Sequence, residues 1–305
     1  MSISTSTTPL RVVLLAALIL TFSHSPSLRA EIRTLVLTDD ATAPAQIAIA
    51  RGGESGFTIA WNSHPPNGVR IQRFTAEGSP QGSVIEATDL DSRFAESIAL
   101  ARDGNGNDLV LWRTTSGATH LIQRLFATAF DATGARLFPI VELARSIRLD
   151  EKLSGYAGVG SAPSGWIVAW SADSLGPPGQ IFSQRIQASS GPVGAPTLVA
   201  EQAQAWTYLV GLATGGETIL AVWSSLDPYA DRQNDIVGLL LDSNGTPAGE
   251  VQSLVQGTGR AFALTGTGLE GTGDGRFLLT YAWNNLASGT FEAFGLELEG
   301  SHPVA

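Results

Sequence analysis

An apolar run ending in an aromatic residue recurs five times along this chain, and that recurrence constrains the fold more than any other feature. The copies are GFTIAW ending at Trp61, NDLVLW at Trp112, GWIVAW at Trp170, ETILAVW at Trp223 and GRFLLTY at Tyr281. Their spacings are 51, 58, 53 and 58 residues, the length of a supersecondary unit that buries its faces against neighbouring copies of itself. A short strand of small residues precedes each copy, at 46–50, 97–101, 156–160, 208–213 and 261–266. A polar loop and a third strand follow, at 69–74, 126–130, 181–186, 236–241 and 291–296. In the first four units a glycine turn, at Gly78, Gly134, Gly191 and Gly245, then leads into a fourth strand.

Four short antiparallel strands per unit make a blade, so the expected fold is all-β, a five-bladed β-propeller. The units run over about 45–95, 96–154, 155–206, 207–259 and 260–305, the last completed by 31–44. The second strand of each unit is an unbroken apolar run because both of its faces meet a neighbouring blade. Trp61, Trp112, Trp170 and Trp223 are therefore expected as blade-to-blade packing residues, each burying roughly 150–250 Å². The fifth unit has no fourth strand of its own, and the segment IRTLVLT at 32–38 has no other home. That segment is expected to complete the last blade and close the ring.

Residues 1–30 contain no Asp or Glu and place Arg11 just before the apolar run Val12–Leu20. That is the pattern of a secretory signal peptide, cut after Ala30 or after Ser27. A bilayer-spanning helix needs roughly 20 apolar residues, so no membrane span is expected after cleavage. Residues 31–305 are then one domain, a secreted or periplasmic monomer. Cleavage removes Arg11 and Arg29, leaving 16 basic against 28 acidic residues, a net charge of −12. Such a surface argues against nucleic acid as a partner. The chain has no cysteine, which excludes disulfides, thiolate metal sites and a cysteine nucleophile.

The repeat of glycine, apolar triplet and Trp, then I-x-x-Q-R with an aromatic, then a D/E-x-x-G turn and G-x-P-x-G, resembles repeats of secreted bacterial β-propeller proteins. Residues 71–82 (IQRFTAEGSPQG) and 181–194 (IFSQRIQASSGPVG) carry the resemblance. In the fourth unit Leu240 and Leu241 stand where Gln-Arg is absent. The resemblance implies a fold and export, and no reaction.

Antiparallel order within a blade gathers the inter-blade loops and the loops between second and third strands on one face, the default site. Trp206, Tyr208 and Tyr229 fall in or beside those loops, with Phe94, Arg260 and Gln46 as neighbouring contacts. Aromatic residues there stack on sugars or anchor a protein. The main expectation is an exported, non-catalytic propeller that binds a glycan or an extracellular or envelope protein. One alternative is a purely structural module. The other is a glycoside hydrolase-like enzyme, since five-bladed rings also house glycosidases with carboxylates where inner strands begin at the central funnel. Glycoside cleavage needs two carboxyl groups, and Glu96 is the one acid where an inner strand begins. Asp39, Asp40, Asp91, Asp150 and Glu151 lie further out in the same loops and are expected to be solvated.

Asp103, Asn105, Asn107 and Asp108 alternate oxygen-bearing side chains in the manner of a Ca²⁺ loop. Position six, where glycine belongs, is Asp108, and no Glu sits at position twelve, so the segment reads as an Asn/Gly turn with no metal. His64, His120 and His302 form no ligand pair, and no G-x-S-x-G, H-E-x-x-H or phosphate-binding glycine loop is present. No cofactor is expected.

Overall fold

The computed structural model describes residues 46–51, 56–63, 68–88, 95–116, 122–146, 151–152, 158–162, 165–174, 176–202, 206–226, 234–256, 261–262, 268–272, 274–285 and 290–303. They form five antiparallel sheets, one for each repeat, arranged as a five-bladed β-propeller. Blade 1 holds β1 (Ile47–Arg51), β2 (Phe57–Ser63), β3 (Gly68–Phe74) and β4 (Pro80–Glu86), in that order from the centre outward. Blade 2 holds β5 (Ala95–Arg102), β6 (Asp108–Ser116), β7 (Ile122–Phe130) and β8 (Arg136–Ser146). In blade 3 the inner position is shared by β9 (Glu151–Lys152) and β10 (Gly158–Ala162), both paired with β11 (Gly165–Ser174), outside which lie β12 (Gly176–Gln187) and β13 (Gly191–Gln202). Blade 4 holds β14 (Trp206–Gly215), β15 (Thr218–Leu226), β16 (Asn234–Leu241) and β17 (Gln252–Val255). In blade 5, β18 (Ala261–Phe262) and β19 (Gly268–Gly271) share the inner edge of β20 (Arg276–Asn285), followed by β21 (Thr290–Glu299) and β22 (His302–Pro303).

The wall aromatics pack as their apolar context dictates. Trp112 lies in one cluster with Ala60 and Ile71 of blade 1, Trp170 with Leu111 and Ala127 of blade 2, and Trp223 with Ile167 and Ile181 of blade 3. Each of these indoles is almost wholly removed from water and rests on the blade before it. Tyr281 joins Leu220 and Val222 of blade 4 in the same way. Trp61 is equally buried, but its cluster contains only blade 1 residues.

The polar signature of the repeat has a physical use at these seams. Arg73 of β3 reaches into blade 2, where its Nη1 and Nη2 donate to the Ala132 and Asp131 carbonyls at 2.6 and 2.5 Å. Arg185 of β12 donates to the Asn244 side-chain oxygen in the corresponding turn of blade 4 (2.9 Å), and Ser183 donates to the Gly245 carbonyl (2.6 Å). Those turns are built by Asp131 and Asp242, whose carboxylates accept the N–H groups two and four residues on. Gly134 and Gly245 close them at φ 91° and 83°, a region that side-chain-bearing residues avoid. Gln72 and Gln184, one residue before each arginine, donate to carbonyls of their own fourth strand. Cross-strand register places Leu239 and Leu240 of blade 4 at the Gln72 and Arg73 positions, one residue earlier than the sequence pattern suggests.

Blade 5 meets blade 1 differently. Glu270 of β19 lies close enough to Arg51 of β1 for their charges to interact, which brings the last inner strand beside the first. Ile49 and Leu278, each 46% exposed, belong to these two blades. The expected closing strand at 32–38 lies outside the described residues. The fifth unit, expected to lack a fourth strand of its own, has a two-residue one: β22 pairs with Leu298 and Glu299 at the outer edge of the blade.

Candidate active site at the loop face of the ring

Heights along the ring can be compared between blades by counting from each wall aromatic. Glu96 lies opposite Arg113, one residue beyond Trp112, and Tyr208 lies opposite Ser224, one beyond Trp223. Trp206 lies opposite Leu226 and Lys152 opposite Asp173, each three beyond its aromatic, with Glu151 opposite Ser174 one step further. Phe262 and Ala261 of blade 5 occupy the same two heights, opposite Asn284 and Asn285. The inner edges of blades 2, 3 and 4 thus carry Glu96, Glu151 and the Trp206/Tyr208 pair at one end of the channel.

Two sequence-based placements change. Glu151, expected in a solvated loop, is part of the inner-edge strand β9, in the blade next to Glu96. Trp206, expected in a loop, is the first residue of β14, and Tyr208 lies in that strand as its place in 208–213 predicts; Thr207 between them is fully buried. Residues two apart on a strand share a face, so positions 206 and 208 belong to the same face of β14. No sequence periodicity announces β9, because its partner β11 is more than twenty residues away.

Gln46 is engaged in joining blades 1 and 2. Its N–H donates to the Asn62 Oδ1 (2.7 Å), its carbonyl accepts the Asn62 N–H (3.3 Å), and its Oε1 accepts the Ile98 N–H (3.1 Å). The Asn62 Nδ2 in turn donates to the Ala95 carbonyl (2.6 Å). Phe94, Tyr229 and Arg260 lie outside the described residues.

At the opposite end of the channel the charges are buried or hemmed in. Asp108 is fully buried, 2.6 Å from the Arg73 Nε and 3.5 Å from the Arg102 Nε, and accepts the Thr58 hydroxyl at 3.0 Å. Burial lifts its carboxyl above the ordinary range, against the pull of Arg73 and then Arg102. The Asp103 carboxylate accepts the Asn105 and Asn107 N–H groups (2.9 and 2.8 Å) and the Asn107 amide (2.9 Å). Asp103 thus caps its own turn while Asp108 serves the seam. Among the described residues no group of three or more His, Asp or Glu side chains lies together in a way that would hold a metal ion.

Glu270 stands three residues before Tyr281, opposite Leu278. Desolvation raises its pKa, with Arg51 acting the other way, although the residue is open to water. That combination belongs to a group at a channel wall, reached by solvent yet surrounded by protein. Its height differs from that of Glu96 by four residues, about 13 Å along the strands, so the two carboxylates serve different ends.

No family model matches the sequence, and no curated protein matches it either. Solved structures do share the fold. An α-L-arabinanase of Penicillium chrysogenum, complexed with arabinobiose, superposes with a TM-score of 0.57 at 12% identity, over 84% of this chain and 81% of that one. An ulvan lyase of a polysaccharide lyase family, bound to a glucuronate–sulfated rhamnose unit, gives 0.52 at 9% identity over 83% and 69%. A protein of unknown function from Dyadobacter fermentans gives 0.52 at 10% over 85% and 79%. These likenesses establish the fold. They also overturn the expectation of a non-catalytic binding propeller: the two of these neighbours with a named activity are an arabinanase and a polysaccharide lyase.

Proposed function

We propose that this chain is an exported, glycoside hydrolase-like propeller enzyme that cleaves a polysaccharide at the loop face of its ring. The observation that carries the reading is the backbone placement of Glu96 and Glu151 on the inner edges of adjacent blades at one end of the channel, beside Trp206 and Tyr208 on blade 4. Kinship of fold with an arabinanase and a polysaccharide lyase supports it. So does the leader-like segment 1–30, together with the likeness of the repeat to secreted bacterial propellers.

Hydrolysis assigns one carboxyl to protonate the departing glycosidic oxygen and the other to deprotonate water. Counted along the strands, the two acids are offset by three residues, about 10 Å of backbone. A direct carboxylate nucleophile needs a pair about 5–5.5 Å apart, whereas a water-mediated attack uses about 6.5–9.5 Å. The strand offset exceeds the close pair of direct attack, and the stereochemistry of the first product decides between the two courses. Trp206 and Tyr208 supply apolar ring faces on which sugar C–H groups stack.

The test is reducing-sugar release by the mature protein from arabinan, xylan, polygalacturonate and ulvan, followed by proton NMR of the first anomer formed. Glu96→Gln and Glu151→Gln should each lower kcat by about 10²–10⁴ without changing the melting temperature. Release that survives both substitutions removes the assignment.

A further inference from the structure

We infer that Asn62 and Gln46 of blade 1 are positioning residues for Glu96 of blade 2, an inference that rests on the reading of Glu96 as a catalytic carboxylate. Ser97, the residue after Glu96, has φ 51°, the only left-handed conformation adopted by a non-glycine among the described residues. It is also buried, at 3% exposure. It is the extra residue of a bulge, since Glu96 pairs with Arg113 and Ile98 with its neighbour Trp112. A bulge turns the strand locally and re-aims the residue beside it. A left-handed serine is strained and persists only where the surroundings hold it.

The surroundings that hold it come from the neighbouring blade, on both sides of the strained residue. Asn62 grips the Ala95 carbonyl just before Glu96, and Gln46 grips the Ile98 N–H just after Ser97. The two are locked to each other by the paired hydrogen bonds between Gln46 and Asn62. The backbone of Glu96 is thereby held between two points of blade 1, across a seam that also carries the Trp112 cluster. The inner strand of blade 4 also has a bulge, between Leu209 and Gly211, but no left-handed residue accompanies it. Among the described residues, the strain occurs only in the blade that carries Glu96.

The experiment titrates the Glu96 carboxyl by carbon-13 NMR in the full mature chain, assigned with Glu96→Gln, and measures kinetics on the four polysaccharides named above. Asn62→Ala should move the Glu96 midpoint by about half a pH unit or more. It should also lower kcat about tenfold or more with KM within about twofold. Ser97→Gly accepts the left-handed backbone without strain, so it should fold at least as stably as the wild type and keep the bulge. A folded Asn62→Ala protein with an unmoved midpoint and unchanged kcat overturns the inference. If Asn62→Ala fails to fold, Gln46→Ala, which loses only the acceptor for Ile98, is held to the same two outcomes. If the wild type cleaves none of the polymers, the hydrolase reading falls, and the titration alone decides whether the bracket controls Glu96.

Discussion

The seam between blades 1 and 2 and the meeting of blades 5 and 1 are built from the same repeat and end up unlike each other. At the first, Trp112 sits in an apolar cluster drawn from both blades, Arg73 and Asp108 close one end, and the Gln46–Asn62 bracket closes the other. At the second, Ile49 and Leu278 remain nearly half exposed, and the charges of Glu270 and Arg51 face each other instead. The position held by Leu278 is filled in blades 2, 3 and 4 by Leu109, Ile167 and Leu220, all fully buried. Identical residue types at identical heights are thus core or surface according to what stands opposite. The polar end of the first seam at Gln46 and Asn62 also fixes the backbone on either side of Glu96 from a second blade.

The largest effect that would test this contrast is expected at the buried ion pair. Asp108→Ala leaves the Arg73 and Arg102 guanidiniums without their carboxylate in a site closed to water, a loss of about 3–5 kcal/mol. Thermal unfolding should fall by about 10 °C, and an unchanged transition would mean that the seam is held by packing alone. Glu270→Gln should act in the opposite direction and far more gently. The raised folded-state pKa of Glu270 means that the folded chain takes up this proton before the unfolded chain does. Its contribution to stability is therefore full below the ordinary value of 4.5 and is lost as pH rises through the folded value. At pH 7 the glutamine variant should melt about a degree or two higher than the wild type, with the two curves merging as pH drops below 4.5. A lower melting point at pH 7 would show instead that attraction to Arg51 outweighs desolvation. Leu278→Ser should be smallest, within about 0.5 kcal/mol. A loss as large as a core truncation would reveal a cover over this residue and erase the difference between the two seams.

Parts of the site were legible in the sequence and parts were not, for identifiable reasons. Glu96 was visible because it follows directly from the repeat: it is the acid that falls where an inner strand begins. Trp206 and Tyr208 were recognised as candidates, with Tyr208 on its strand, but the place of Trp206 on the same strand depends on pairing with Leu226. Glu151 was misplaced because a two-residue strand has no periodicity of its own and exists only through a partner distant in the chain. Gln46 was read as a ligand contact, whereas its amide oxygen is committed to the Ile98 N–H across a seam that no local pattern encodes.

By itself the order of residues determined the number of blades and the burial of Trp61, Trp112, Trp170 and Trp223, because a fifty-residue period of fully apolar strands has to bury both faces against copies of itself. Tertiary structure alone decided which polar groups meet: Arg73 with Asp108, Asn62 with Ala95, Arg51 with Glu270. Those partners lie in different blades, and the sign and distance of a charge interaction follow from three-dimensional proximity, which no periodicity along the chain contains.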